Sequence, residues 1–565
     1  MGAPVIPPGL RVRAARATQA VAHPLGAGLL AGTLALALML FGPPGGDEAA
    51  HLYLTQTWRE HGWQLWDNYW YSGRYAQVNY SLIFYPLAAA IGLAGAVAAS
   101  VAGASAAFAA LVRRRWPALA VGPATAFAVL LPLGAIAGTY PFLMGLALAL
   151  GSLVAMAHRR AGWAVAGVLV TGLAHPLALA FLVVTLAAVA SISPGWWRQP
   201  RNVAVGVAVG VTCTVHLVLL LGFSGGGSHY PFRPIDAAAI AGFCVAGLLL
   251  TRGVADQRQL RAVFIGYGVL SAVAFLVSSP LGGNAVRLML LMGAPLLLLP
   301  LAARGFRPRG VAVTLVAGVV LWQALPAVAG WQRSVESRAQ NEDFWYPVMA
   351  FVDQNHRPGE RVQVVATADN WEAYWMARRG VPLARGWFRQ DDFPANAALY
   401  ADLTPQRYRN WLRRTAVRYV FLPDDPLDYS AEAEAELLRS GESGLEVVAQ
   451  MGSWTVYEFP EARPIATPEQ DITVLQLTGN DVTLRVRRPG VYRLRMHYTP
   501  YWHAEGVPAC AAPASPWGTR LRVGRAGLVK LTFDVRLGTF VGAVLGGRGG
   551  CSVPLGPPAP GAPGA

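Results

Sequence analysis

The sequence is poor in charged residues, in cysteine and in lysine. Only 14% of its 565 residues are charged, whereas a soluble globular protein has about 25%. Much of the chain therefore cannot face water. The four cysteines show no metal-type spacing with histidine, and the sequence has no P-loop, no GxSxG elbow and no GxGxxG turn after a strand. Nucleotide-driven pumping by the chain itself thus has no support in the sequence.

What the sequence has instead is long apolar runs, concentrated between Leu25 and Gly330. Each run is long enough to cross the hydrocarbon core of a bilayer as a helix. The stretch 161–192 is interrupted by Gly172 and His175-Pro176, and it fits either one tilted helix or two short ones. We predict the other spans at 25–42, 82–112, 117–137, 141–157, 202–222, 235–251, 262–279, 285–302 and 310–329.

Short arginine clusters separate these runs, and cytoplasmic loops carry the positive excess of a membrane protein. All clusters fall on one side only if 161–192 forms two spans with His175 at the outer turn. This predicts 11 spans, a cytoplasmic N-terminus, and an extracytoplasmic location for everything after Gly330. The clusters are Arg11, Arg13 and Arg16; Arg113, Arg114 and Arg115; Arg159 and Arg160; Arg198 and Arg201; Arg252, Arg258 and Arg261; and Arg304, Arg307 and Arg309.

The formal net charge of +15 could indicate a nucleic-acid partner, so the position of the charges decides its meaning. The predicted cytoplasmic segments hold 16 arginines and a single acid, Asp256. The positive charge is therefore an orientation signal, the expected surroundings are the cell membrane, and no nucleic acid is expected to bind. The first apolar run lacks a small-residue cleavage site, so we expect it to be a retained helix.

The predicted fold is a polytopic α-helical membrane protein followed by two extracytoplasmic domains. A basic N-terminus (1–24) precedes the transmembrane domain (25–330), which includes a first outer loop (43–80). Alternating helices and strands predict an α/β domain at 331–465. Residues 466–545 predict a β-sandwich, and the Gly/Pro-rich tail 546–565 is expected to be disordered. We predict sandwich strands at 472–477, 482–486, 490–498, 519–523 and 528–535.

Two of the cysteines, Cys510 and Cys551, lie in the predicted extracytoplasmic part, where a disulfide can persist. The sequence leaves open whether they pair.

The first outer loop begins with acidic residues and is rich in aromatic ones. Asp47 and Glu48 directly follow the first span, and His51 lies one helical turn later. Carboxylates at a membrane boundary are costly to desolvate, and they usually face a cavity or a partner. The aromatic residues alone are also typical of an interfacial belt.

This arrangement resembles the GT-C glycosyltransferases, which are polytopic enzymes that use lipid-phosphate-linked sugars. More specifically, it resembles a group of actinobacterial membrane proteins, many of which have no assigned substrate. The resemblance covers residues 20–330 and depends on the Asp-Glu pair, the aromatic loop with its Gly-x-Tyr and Tyr-Pro motifs, and His175-Pro176. Further shared segments are 139–145 (TYPFLMG), 283–288 (GNAVRL), 384–387 (ARGW) and 498–502 (YTPYW).

The resemblance implies inverting transfer of a sugar from a polyprenyl-phosphate donor to a glycan or glycolipid acceptor at the outer face. It implies that Asp47 is the catalytic base, with Glu48 beside it in orientation or metal binding. Arg287 is assigned to the donor phosphate, and the alternative is that it extends to the lipid headgroups. The actinobacterial setting implies arabinose or mannose as the sugar.

Further candidates reach the same predicted face. His175 and Arg233 are candidates for the donor phosphate. A divalent cation is left open, with Asp47, Glu48, His51 and His229 as its candidate ligands. The predicted substrate-binding residues are His51, Trp70, Tyr75, Asn79, Tyr80, Tyr140, His229 and Asn284.

Two other functions remain open. A transporter or flippase of lipid-linked saccharide typically has internal repeats and charges near the bilayer midplane. This chain has no detectable repeat, and its charges cluster at the predicted outer edge, which favours an enzyme. An anchor that presents carbohydrate-binding domains would leave Asp47, Glu48 and Arg287 unexplained.

Overall fold

The structure is a computed structural model that describes residues 19–78, 80–224, 229–400, 403–547 and 551–554. The chain divides into two compact units, each assembled from segments far apart in the sequence. The helical unit comprises Met1–Gly46, Tyr80–His216 and His229–Gln332. The mixed unit comprises Asp47–Asn79, Leu217–Ser228 and Arg333–Ala565.

Apolar helices dominate the helical unit. Within the described residues, eight helices are long and apolar enough to cross a membrane, and three shorter apolar helices accompany them. The chain is therefore a multi-pass membrane protein, while the count of 11 spans and the orientation stay predictions. The eight long helices are Pro24–Phe41, Leu93–Arg115, Tyr140–Ala157, Pro200–Gly222, Pro234–Thr251, Arg258–Leu276, Gly282–Ala303 and Arg309–Glu336. The shorter ones are Val121–Ile136, Ala161–Ala174 and Pro176–Ser191.

The stretch 161–192 forms two helices rather than one. The first ends at Ala174, and His175 adopts an extended backbone before Pro176 starts the second. Proline at the first helical position is favourable, because the amide that it lacks has no partner within the helix there. The His175 Nδ1 atom accepts a hydrogen bond from the Leu177 backbone N–H at 3.2 Å, so the imidazole caps the second helix.

The helix Tyr140–Ala157 approaches this break closely at Gly145. A Cβ atom on Gly145 would lie 2.6 Å from the Ala178 Cβ and 3.0 Å from the His175 Cβ. Only glycine allows this approach without a shift of the neighbouring helix. The glycine that ends the shared 139–145 segment therefore sets the position of His175.

The mixed unit begins with a helix, Glu48–His61, and a short hairpin of β1 (Trp66–Asp67) and β2 (Arg74–Tyr75). The sequence predicts this region as the first outer loop of the transmembrane domain. The structure groups it with the C-terminal residues, and its location on the outer side of a membrane stays a prediction. Its aromatic side chains bury large apolar areas, which accounts for a compact fold here.

An α/β sheet and its helices form the next part of the mixed unit. The strands are β3 (Arg361–Val364), β4 (Val417–Pro423), β5 (Glu446–Met451) and β6 (Trp454–Glu458), in the order β3-β4-β6-β5. Strands β3 and β4 are parallel, and the other pairs are antiparallel. The longer helices of this part are Glu342–Asn355, Pro405–Thr415 and Glu432–Arg439.

Two antiparallel four-stranded sheets follow and form the β-sandwich, with strands numbered β7 to β14 along the chain and bounded as given at the end of this paragraph. Their strand orders are β12-β13-β10-β7 and β11-β14-β9-β8. In β9 every second residue is buried, namely Val482, Leu484 and Val486, as expected for a strand with one face in the core. The strands are β7 (Ala466–Thr467), β8 (Ile472–Leu477), β9 (Asp481–Val486), β10 (Gly490–Leu494), β11 (Trp502–Gly506), β12 (Ala509–Pro513), β13 (Thr519–Val523) and β14 (Gly527–Phe533).

The end of the chain adds a helix and a disulfide. The helix Leu537–Val544 follows β14, and Cys510 is bonded to Cys551. The structure thus settles the pairing that the sequence left open. Of the predicted disordered tail 546–565, only residues 546, 547 and 551–554 are among those described.

Aromatic residues of the hairpin enter the core of the sandwich. The Trp66 ring stacks on Phe533 with a centroid distance of 5.6 Å. The Tyr75 hydroxyl lies 2.8 Å from the Thr499 Oγ1 atom, in a hydrogen bond. The hairpin is therefore a structural part of the sandwich, which fixes the position of the helix that precedes it.

Candidate active site

Asp47 lies at the first turn of the helix Glu48–His61, in the cap position. Its Oδ1 atom accepts a hydrogen bond from the Trp387 indole N–H at 2.9 Å. The positive end of the helix dipole favours a carboxylate at this position. Asp47 and Glu48 are both half-buried, so the Asp47 carboxylate is oriented by the protein without being fully enclosed.

Trp387 comes from the ARGW segment and is 8% exposed. Its ring lies 5.8 Å from that of His51, which is fully buried. Gly386 lets the segment approach Trp70, because a Cβ atom there would lie 2.7 Å from the Trp70 ring. We call Asp47, His51 and Trp387 the Asp47 cluster.

A buried carboxylate, Asp67, ties the helix to the hairpin that follows it. Its oxygens accept hydrogen bonds from the Tyr53 hydroxyl at 3.1 Å and from the Tyr69 backbone N–H at 2.8 Å. Burial raises the pKa of Asp67 to about 6, against the lowering effect of these hydrogen bonds. Asp67 thus holds the helix that follows Asp47 against the hairpin, a contact that the sequence did not indicate.

Two predicted substrate residues, Trp70 and Tyr75, lie inside the mixed unit. Trp70 is fully buried against Tyr53, and its indole N–H donates to the Ala373 carbonyl at 3.0 Å. Tyr75 is bonded to Thr499, as described above. Their burial favours a structural role over stacking on a sugar. Asn79, a third predicted substrate residue, lies outside the described residues.

A second group of predicted residues meets in the helical unit. The His175 ring lies 5.3 Å from Tyr80 and 5.5 Å from Phe142. The Arg287 guanidinium lies 6.0 Å from the centre of the Phe142 ring. We call Tyr80, Phe142, His175 and Arg287 the Arg287 cluster. Phe142 was not a predicted site residue, although it belongs to the shared 139–145 segment.

The two candidate arginines of the helical unit differ in how their charge is balanced. Arg233 holds Asp236 with two hydrogen bonds, from Nε to Oδ2 at 2.8 Å and from Nη2 to Oδ1 at 3.0 Å. Arg287 is half-buried, and it forms no ion pair with any carboxylate of the described residues. It begins the α-helical part, Arg287–Ala303, of the spanning helix Gly282–Ala303, after a 3₁₀ turn over Gly282–Val286. A guanidinium at a helix N-terminus suits an anion.

The turn before Arg287 brings further candidates close to it in the helical unit. Asn284 is buried, and its Nδ2 atom donates to the Pro280 carbonyl at 3.3 Å. Gly282 has a positive φ of 38°, and a Cβ atom there would lie 1.8 Å from the Tyr230 carbonyl oxygen. The segment with His229 and Arg233 is therefore held against this turn.

Tyr140 is fully buried at the start of the helix Tyr140–Ala157. A Cβ atom on Gly45 would lie 2.5 Å from its hydroxyl oxygen. Tyr140 thus packs against Gly45, which lies just after the first spanning helix and two residues before Asp47 in the sequence.

An apolar cavity of 230 Å³ opens between three helices of the helical unit. Phe243, Met289, Leu297 and Trp322 are among its lining residues. Met289 is two residues after Arg287 on the same helix. The cavity therefore reaches the first turn of this helix, on a different face from the Arg287 side chain, because residues two positions apart do not share a helix face.

Among the residues that the structure describes, no group of three or more His, Cys, Asp or Glu side chains could hold a metal ion. Of the four candidate ligands, Asp47, Glu48 and His51 belong to the mixed unit, and His229 belongs to the helical unit. The divalent cation stays a prediction from the sequence.

Comparisons with known proteins give a distant likeness. No family model and no curated protein matches the chain. It is similar to the cryo-EM structure of the arabinofuranosyltransferase AftD from mycobacteria, with 15% identity and a TM-score of 0.44, over 80% of this chain and 40% of that one. A mutant of the same enzyme gives 16% identity and a TM-score of 0.45, over 76% of this chain and 41% of that one.

The chain thus spans about two-fifths of the length of these structures. A likeness this distant carries no argument about activity, which has to come from the residues themselves.

Proposed function

We propose that this protein is a GT-C-type glycosyltransferase that moves a sugar from a polyprenyl-phosphate donor to a cell-envelope glycan or glycolipid on the outer face of the membrane. The observation that carries the proposal is the carboxylate of Asp47. It follows the first spanning helix, where the resemblance requires a base, and the Trp387 N–H orients it.

In the proposed reaction, Asp47 takes the proton of the acceptor hydroxyl as that oxygen attacks the anomeric carbon of the donor. The bond between this carbon and the phosphate oxygen breaks, and polyprenyl phosphate leaves with the bonding electrons. A single displacement of this kind inverts the anomeric configuration. General-base catalysis needs a carboxylate held in a defined orientation, which the indole N–H provides.

The departing phosphate gains negative charge, and Arg287 is the proposed group that stabilises it. A guanidinium donates parallel hydrogen bonds to two phosphate oxygens, and the helix N-terminus adds to the positive potential. His175, beside Phe142, is the second proposed donor to the phosphate.

The proposal is tested with the purified full-length chain in nanodiscs. Polyprenyl-phosphate pentoses and hexoses are supplied with an envelope glycan acceptor, and free polyprenyl phosphate is measured beside the glycan product. We expect the two products in equal amounts for one donor of the panel. No release with any donor, together with movement of the same lipids across a liposome bilayer, would instead establish the flippase alternative.

Trp387→Phe tests whether Trp387 is a positioning residue for the base. The variant keeps an aromatic ring but removes the N–H that donates to Asp47. A hydrogen bond to a charged group contributes about 1.5–3 kcal/mol, so we expect kcat to fall roughly ten- to a hundredfold. The KM for the donor should stay unchanged, because the donor phosphate is held elsewhere.

Trp454→Phe is the matched control for this variant. The Trp454 indole is also buried in the mixed unit, and it donates to the Phe344 carbonyl at 2.8 Å. Equal losses of kcat in both variants would mean that Trp387 supports only the fold of the unit.

A further inference from the structure

The helix Leu537–Val544 of the mixed unit carries no charged residue. On one side it exposes Leu537, Val541 and, just after its end, Leu545, with exposed fractions of 79%, 47% and 80%. Residues spaced by four positions lie on one face of a helix. The helix therefore presents a continuous apolar stripe that the described residues of the mixed unit do not cover.

Another side of this helix, which carries Phe540, contacts the end of a spanning helix. The Phe540 ring lies 5.5 Å from the Phe223 ring. A Cβ atom on Gly222 would lie 2.3 Å from the Phe540 ring, so the glycine is what allows this contact. Gly222 is the last residue of the membrane-spanning helix Pro200–Gly222.

The last turns of that spanning helix are themselves exposed and apolar. Leu217, Leu220 and Leu221 are 55%, 54% and 46% exposed, on a helix that is apolar enough to lie in a bilayer. In a bilayer, such exposed apolar side chains contact the lipid acyl chains. The helix Leu537–Val544 is fixed next to the point where this lipid-facing surface ends.

We propose that the helix Leu537–Val544 lies in the membrane interface and contacts lipid through Leu537, Val541 and Leu545. Eight residues of helix span about 12 Å, which is far short of the roughly 30 Å hydrocarbon core, so the helix lies along the membrane and does not cross it. Interfacial helices bury their apolar face at the boundary between headgroups and acyl chains. The contact provides the β-sandwich with a second attachment to the bilayer besides the spanning helices.

The proposal is tested by placing a fluorescent label on the stripe and on a matched site of the sandwich. Val541→Cys and Val491→Cys are compared in a background in which Cys213 and Cys244 are replaced by alanine. Val541 and Val491 are the same residue type and are 47% and 50% exposed, but Val491 lies on β10 of the sandwich. Each labelled chain is placed alone in a nanodisc whose phospholipids carry a nitroxide quencher near the headgroup end of the acyl chain.

We expect the quencher lipids to reduce the fluorescence at position 541 by about threefold or more, and to leave position 491 nearly unchanged, as for an interfacial helix. A water-soluble maleimide should also react more slowly at position 541 than at position 491. Equal quenching and equal reactivity at the two positions would overturn the proposal. Protection of position 541 that requires two chains in one disc would also overturn it, because the stripe would then bind a second copy.

Discussion

Replacing Asp47 with asparagine is expected to lower the turnover number about a hundred- to ten-thousandfold, the range that a general base contributes. Asparagine has nearly the same shape as aspartate, and its oxygen can still accept the hydrogen bond from the Trp387 N–H. It cannot take the proton of the acceptor hydroxyl. Donor binding should therefore survive while the chemical step fails, and the KM for the donor should change little.

The measurement is the initial rate of polyprenyl phosphate release from saturating donor, with two comparison variants. Glu60→Gln is the control, because Glu60 lies on the same helix but is exposed. Its carboxylate accepts a hydrogen bond of 2.7 Å from the exposed side chain of Gln56, one helical turn earlier. The rate of this control variant should equal that of the wild type. Glu48→Gln should lose less than Asp47→Asn. A wild-type rate for Asp47→Asn would remove Asp47 as the base, and a larger loss for Glu48→Gln would assign that role to Glu48.

Replacing Arg287 with glutamine is expected to lower kcat/KM roughly a hundred- to a thousandfold, as for the loss of one donor to a developing anion. Glutamine keeps a hydrogen-bond donor of similar length but lacks the positive charge that the departing phosphate requires. Lysine should restore part of the activity, because it supplies the charge without the paired geometry of a guanidinium. The measurement is kcat/KM with the donor as the varied substrate.

Arg233→Gln is the matched comparison for this prediction. Arg233 already neutralises Asp236 through two hydrogen bonds, so its charge is less available to a substrate phosphate. We expect its loss to stay below about tenfold, in keeping with a partly exposed ion pair. Equal losses in both variants would contradict the distinction between the two arginines. Unchanged kcat/KM in Arg287→Gln would favour the alternative that Arg287 extends to the lipid headgroups.

The helical unit was predictable because one physical requirement, the length of an apolar run, decides whether a helix can cross a membrane. The break at His175 was also predictable. Proline disfavours a helical conformation in the residue before it, and the arginine clusters required two helices there. Both inferences depend on features local to the sequence.

The first loop could not be predicted in the same way. Trp66 and Tyr75 look like interfacial or sugar-binding aromatics when only their neighbours in sequence are considered. In the structure they pack on Phe533 and Tyr501, more than 400 residues later. No local pattern records which distant residues will share a core, so burial of these rings was not accessible from the sequence.

Two strands, and the contact that orients Asp47, also depend on distant residues and could not be predicted from local sequence. Strands β11 and β12, with sequences WHAEG and ACAAP, have little of the β-branched alternation that identifies a strand, and their pairing partners impose their conformation. The contact between Trp387 and Asp47 joins residues 340 positions apart. The sequence indicated each of them separately, Asp47 by its place at a membrane boundary and Trp387 by the shared ARGW segment, but not that they meet.

Sugar transfer by a single displacement from a polyprenyl-phosphate donor is the core of the proposed function. One nuclear magnetic resonance experiment tests this reaction. The donor sugar is isotopically labelled at its anomeric carbon and is incubated with the chain and the acceptor. We predict that the donor signal is replaced by one glycan signal of the opposite anomeric configuration. A donor signal that persists with every donor of the panel, or a product of retained configuration, would contradict the proposed function.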